Sequence, residues 1–260
     1  MKYKEIDFSK YSSIKIGPKV DVLIIEDGDE FPKNHFLIGG ANNLLLSPTP
    51  PPLMMLGKSF DYIKLVDNAL EVGCATKTGR VLSFAKKHNI ANFEFVAKLP
   101  GTIGGMVAMN AGVKSYEIFN YIKAVEINGK WIDKEEIEYG YRFANLNGVA
   151  TRVRLKLEYG YSEELREELL HLRDNQPKEP SAGSVFKNPK GDYAGRLIEA
   201  VGLKGKRVGD MEFSKIHANF LVNLGDGNYE DAITLIELAK SKVYDKFGVL
   251  LKEEIKVVKK

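Results

Sequence analysis

The sequence predicts an α+β fold, and three observations predict it. Short apolar runs broken by turn signals fill most of the first 160 residues. Helical periodicity takes over after Ser162, and strands and helices do not alternate as regular βαβ units. In chain order, "VDVLIIED" reads as a buried strand, "HFLIGG" as a strand running into a glycine turn, and "LMMLG" as a strand after the proline-rich "SPTPPP". "YIKLVDNALEVGCA" reads as a hairpin around Asp67-Asn68, and the helix after it is capped by Thr78, with Val81, Leu82 and Ala85 on one face. "AVEINGKWID" is a hairpin whose Asn128-Gly129 pair suits a type I′ turn. "GVATRVRLKLEY" is a strand alternating Val153, Leu155 and Leu157 with basic residues. Two helices follow, one carrying Leu165, Leu169 and Leu172, the other, near 229–246, carrying Ala232, Leu235, Ile236, Ala239 and Val243. The change of style places a domain boundary near 158–162.

Composition narrows the function. The chain has 260 residues, 44% hydrophobic and 28% charged, as expected of a soluble globular protein with ample core. No apolar run reaches the length of a membrane span, and the N-terminal stretch lacks an apolar signal core, so a cytoplasmic protein is expected. A single cysteine, Cys74, excludes an internal disulfide. The four histidines show no ligand spacing, so no metal site is expected. The formal charge of +3 is spread among interspersed acids, unlike a nucleic-acid-binding stripe.

Two glycine-rich segments stand out. "GGANNLLL" offers Gly39, Gly40, Ala41, Asn42, Asn43 and Leu44, and "LPGTIGG" offers Pro100, Gly101, Thr102, Gly104 and Gly105 before "MNAG" supplies Asn110, Ala111 and Gly112. Neither is a dinucleotide fingerprint or a P-loop. Each fits a tight structural turn. Together they fit equally well a diphosphate held by backbone N–H groups rather than by lysines. A third string, "EPSAGSVFKNP", sets Ser184 among small residues with Lys187 and Asn188 behind it. A nucleophile, an anion cradle, a proton donor and a plain loop all remain open there. The absence of a G-x-S-x-G elbow, with His217 the only loose partner, speaks against a serine hydrolase.

With "YGYRFAN", "AGRLIEAVGLKG", "HANFLVN" and the terminal "LKEEIKV", these segments resemble, in order and over residues 12–258, the UDP-N-acetylenolpyruvoylglucosamine reductases. The resemblance implies a two-subdomain FAD-binding fold (type 2, PCMH-like) over residues 1–160, with subdomains of about 1–60 and 61–160, and a smaller α+β substrate-binding domain over 161–260. It implies a monomeric, cytoplasmic, NADPH-dependent flavoenzyme of peptidoglycan precursor synthesis, with FAD held by the two glycine-rich segments and a nucleotide-sugar substrate. The sequence departs from the family at Ala41-Asn42, where Gly-Ser is usual before the shared asparagine, and at Glu253, where proline is usual.

By the same resemblance, Arg142 stabilises charge that develops on the substrate carboxylate and Ser184 donates the proton. Glu254 hydrogen-bonds the enolic form, and Tyr141, Lys187 and Asn188 contact substrate. His217 and Asn219 either approach the flavin or only order their strand. An FAD-linked alcohol or lactate oxidase usually has a longer substrate domain and a flavin-attached His or Cys, for which the chain offers no obvious setting. A non-catalytic nucleotide binder would be indifferent to loss of Ser184.

Overall fold

A computed structural model describes residues 2–260, which form two compact units. The first comprises Val22–Gly40 and Pro52–Asp174 with the extreme N-terminus. The second comprises Glu5–Asp21, Ala41–Pro51 and Asn175–Lys260. The expected boundary near 160 therefore moves to Asp174. Helix Glu163–His171 belongs with the first unit because Leu169 enters that core beside Phe95 and Val96, and because the Ser162 N–H donates to the buried Glu94 carboxylate at 2.8 Å. Two early segments also cross over to the second unit. There Ile14, Ile16 and Leu45 pack with Phe213, Leu221 and Ile236, and Leu44–Leu46 pairs in parallel with Lys256–Val258. The proline run at 48–52 spans the passage from the second unit back to the first.

In the first unit, Lys19–Ile25 pairs in parallel with Leu53–Leu56, which pairs with Phe36–Leu37. A five-stranded antiparallel sheet runs in the order Lys130–Asp133, Ile122–Ile127, Ala150–Lys156, Ala69–Gly73, Ile63–Val66. Both expected hairpin turns form, with positive φ at Asp67, Asn68, Asn128 and Gly129, the geometry a two-residue turn between twisted strands demands. Helix Thr78–Lys87 buries Val81 and Ala85 as expected, but Thr78 does not cap it. The cap position falls to Lys77, while the buried Thr78 hydroxyl donates to the Leu99 carbonyl at 2.6 Å.

The glycine-rich segment contains a helix, Ile103–Met109, that its composition conceals. Thr102 caps the start by accepting the Gly105 N–H at 3.3 Å, and Ile103, Met106 and Val107 bury one face. Asn110 stops it in the left-handed region, at φ 45°.

The second unit carries a four-stranded sheet ordered Ser181–Ser184, Phe220–Asn223, Met211–Phe213, Arg207–Val208. Helix Tyr229–Phe247 packs on it through Ala232, Leu235, Ile236, Ala239 and Val243, the face its periodicity predicts. Asn228 caps its start and Gly248, at φ 66°, ends it. Among the described residues no helix is long and apolar enough to cross a membrane.

Candidate active site

The sequence-predicted residues fall into two groups, one on each unit. In the first unit Gly39, the start of one glycine-rich segment, meets Thr102 of the other, while Ala41–Leu44 belong to the second unit. A Cβ built on Gly39 would come within 2.6 Å of the Thr102 hydroxyl oxygen, so only glycine lets the backbone pass there. The meeting point is uncharged and rich in main-chain amides, which suits a diphosphate-bearing cofactor such as FAD. Asn110 closes the helix that begins after Thr102. Its side chain is 1% exposed and spent inside the protein, donating to Glu117 Oε2 at 2.9 Å and to the Gly140 carbonyl at 3.0 Å while accepting the Phe119 N–H at 3.2 Å.

Beyond Asn110, Tyr141 and Arg142 form the two-residue turn of a hairpin between Tyr139–Gly140 and Phe143–Ala144. Arg142 adopts φ 55°, and its guanidinium lies 5.0 Å from the Tyr141 ring centre. Its Nη1 pairs with Glu117 Oε1 at 3.2 Å, and its Nη2 donates to the Gly112 carbonyl at 2.8 Å. A surface turn would leave such an arginine solvated, yet its side chain is only 16% exposed. Burial, and then the charge of Arg142, pull the Arg173 guanidinium below its ordinary value.

In the second unit, Ser184 ends the strand that pairs with Phe220–Asn223. The chain after it is gripped from both sides. Val185 N–H donates to the Asn219 carbonyl at 2.8 Å, and the Val185 carbonyl accepts the Glu254 N–H at 2.7 Å. The buried Asn219 side chain clasps Phe186, accepting its N–H at 3.0 Å and donating to its carbonyl at 2.8 Å. Lys187 N–H donates to the Lys252 carbonyl, and Asn188 Oδ1 accepts the Ala194 N–H at 3.0 Å, anchoring the start of helix Ala194–Ala200.

The terminal segment is sorted by the same contacts. Glu253 pairs with Lys240 at 3.0 Å on the long helix, whereas Glu254 follows Val185 along the chain that carries Ser184. Asn43 joins them, its side-chain amide donating to the Glu254 carbonyl at 2.9 Å and its own carbonyl accepting the Lys256 N–H. Ser13 supports the preceding turn through the Ala41 and Asn42 carbonyls, and Ala41 sits at φ 51°. His217 accepts the Asn219 N–H at Nδ1, 3.2 Å away, and burial pushes its pKa below the ordinary 6.5.

Two cavities open on the first unit. One, of about 980 Å³, is lined by Phe31, Met54, Phe60, Asn128 and Val149; the other, of about 620 Å³, is lined by Tyr62, Lys64, Trp131, Arg152 and Arg154. None of the predicted site residues lines either.

Residues 176–258 match the model of the UDP-N-acetylenolpyruvoylglucosamine reductase C-terminal domain. Over 257 residues the chain is 47% identical to the UDP-N-acetylenolpyruvoylglucosamine reductase of Helicobacter hepaticus, covering 97% of this chain and 98% of that one. The chain belongs to the UDP-N-acetylenolpyruvoylglucosamine reductase family. It is an oxidoreductase. The family member of Campylobacter jejuni strain RM1221 is 46% identical, over 97% of this chain and 99% of that one. The crystal structure of the family's Thermus caldophilus enzyme superposes with a TM-score of 0.85 at 31% identity, covering 99% of each chain, so the α+β fold expected from sequence is the family fold. Glu117, Arg173 and the double grip of Asn219 on Phe186 were not among the residues expected from sequence. Only the spacing of "NAGVKSYE" hints at the first, and nothing in composition signals the others.

Proposed function

We propose that the protein reduces the enolpyruvyl ether of UDP-N-acetylglucosamine-enolpyruvate to the lactyl ether of UDP-N-acetylmuramate, in the cytoplasm and as a monomer, in peptidoglycan precursor synthesis. Gly39–Leu44, Pro100–Thr102, Gly104, Gly105 and the Asn110–Gly112 turn would hold FAD, which would supply hydride taken from NADPH.

Hydride addition to one alkene carbon leaves an electron pair on its neighbour, next to the carboxylate. Arg142 spreads that charge onto the carboxylate oxygens, a preorganised electrostatic effect worth a few kcal/mol. Ser184 Oγ gives its proton to the carbanionic carbon and regains one from water or Lys187. Glu254 hydrogen-bonds the enolic carboxyl, Tyr141 lines the pocket, and Lys187 and Asn188 hold the nucleotide-sugar.

The observation that carries this reading is the main-chain bond from Glu254 to Val185, directly after Ser184, with Glu253 drawn off to Lys240. It supports pairing the acid–base hydroxyl with Glu254 rather than with its neighbour. The test begins with colour, because the purified protein should be yellow or turn yellow with FAD. After anaerobic reduction by NADPH, the enolpyruvyl nucleotide should reoxidise the flavin without oxygen. Persistent reduction in its presence would overturn the reading.

A further inference from the structure

The geometry points to Glu117 as a positioning residue that fixes the Arg142 guanidinium, with Asn110 fixing Glu117 in turn. This rests on the role given to Arg142 above. A guanidinium hangs from four rotatable bonds, so its place is set by what it touches rather than by its backbone. Here two acceptors converge on it, the Glu117 carboxylate and the Gly112 carbonyl. They converge because Gly112–Val113 pairs tightly with Tyr116–Glu117. A Cβ on residue 112 would lie 2.0 Å from the Tyr116 carbonyl oxygen and 2.7 Å from the Glu117 Cα.

The second Glu117 oxygen is held by Asn110, whose amide also grips the Gly140 carbonyl, one residue before the turn that carries Arg142. One buried asparagine therefore ties together the carboxylate and the hairpin that must face it. A carboxylate next to a cation also reduces the positive potential the cation can offer. Its benefit to catalysis must then come from orientation, since a guanidinium already in place reorganises less at the moment of reaction.

The test uses the FAD-loaded protein and Glu117→Gln, which keeps size and loses charge and one acceptor. Oxidation of the reduced enzyme by the enolpyruvyl nucleotide should slow about 10- to 100-fold, the scale of a small misplacement of a reacting group, while reduction by NADPH stays within about two-fold. In an Arg142→Lys background the same change should add no further loss. Side-chain ¹⁵N spectra should show resolved, slowly rotating Arg142 Nη signals that merge in E117Q. An unchanged or faster oxidative half-reaction in E117Q overturns the proposal. So does a loss shared equally by both half-reactions with a falling Tm, or additive loss with R142K. Full activity in R142K would instead sink the role of Arg142 itself, whatever the spectra of E117Q show.

Discussion

Ser184 stands at the end of a strand locked by main-chain bonds and by the Asn219 clasp, whereas Arg142 stands in a two-residue turn locked by a carboxylate, a carbonyl and a buried asparagine. The difference follows from the side chains. A serine hydroxyl is one rotatable bond from its backbone, so fixing the backbone leaves its oxygen only three staggered positions. A guanidinium is four bonds away and needs partners of its own. The first arrangement is neutral. The second depends on charge.

The largest expected effect breaks the chemistry at the neutral end and leaves its scaffold whole. Ser184→Ala should lower turnover of the enolpyruvyl nucleotide by about 10²- to 10⁴-fold, with the unfolding midpoint in guanidinium unchanged. Unaltered turnover would remove Ser184 as the proton donor. Next comes the clasp itself. Asn219→Ala strands a buried N–H and a buried carbonyl on Phe186, so unfolding free energy should fall by about 2–4 kcal/mol in a denaturant titration. A loss under about 0.5 kcal/mol, the low end of the net worth of a single hydrogen bond, would mean that the strand is held without it.

A pH series sharpens the comparison. His217 supports Asn219, and burial depresses its pKa, so the unfolded chain binds its proton more readily. Its contribution to stability is therefore present above 6.5 and lost as pH falls below that value. His217→Gln should flatten the dependence of Tm on pH between about 6.5 and 5, the acid side of the range in which an ordinary histidine titrates. A slope equal to that of the wild type would assign the dependence elsewhere. The smallest effect concerns Ala41, an alanine held at φ 51° in the turn that leads to Asn43. Ala41→Gly should relieve left-handed strain and raise stability by about 0.5–1 kcal/mol after the flexibility glycine adds to the unfolded chain. A fall in Tm would show that the alanine methyl packs more favourably than its backbone is strained.

Most secondary elements were legible because they depend on local pattern. The Asp67-Asn68 and Asn128-Gly129 turns, the strand through Val153 and the helix through Leu235 and Ile236 all lie where their spacing and turn residues put them. The helix at Ile103–Met109 was hidden because Gly104 and Gly105 mask a buried face of three apolar residues. The first unit runs to Asp174 rather than to 160 because a helix joins whichever core its leucine enters, and Leu169 enters the core of Phe95 and Val96.

The sequence by itself determined the α+β class, the family and the residue types a reductive site requires, since these follow from periodicity and from ordered motifs. Only the tertiary structure decided which partner each side chain keeps. It gave Glu253 to Lys240 and Glu254 to the Ser184 strand, spent Asn110 on Glu117 and Gly140, and set Asn219 to hold Phe186. Such pairings join residues as far apart as Asn43 and Glu254, and a hydrogen bond depends on distance in space, which no local pattern records.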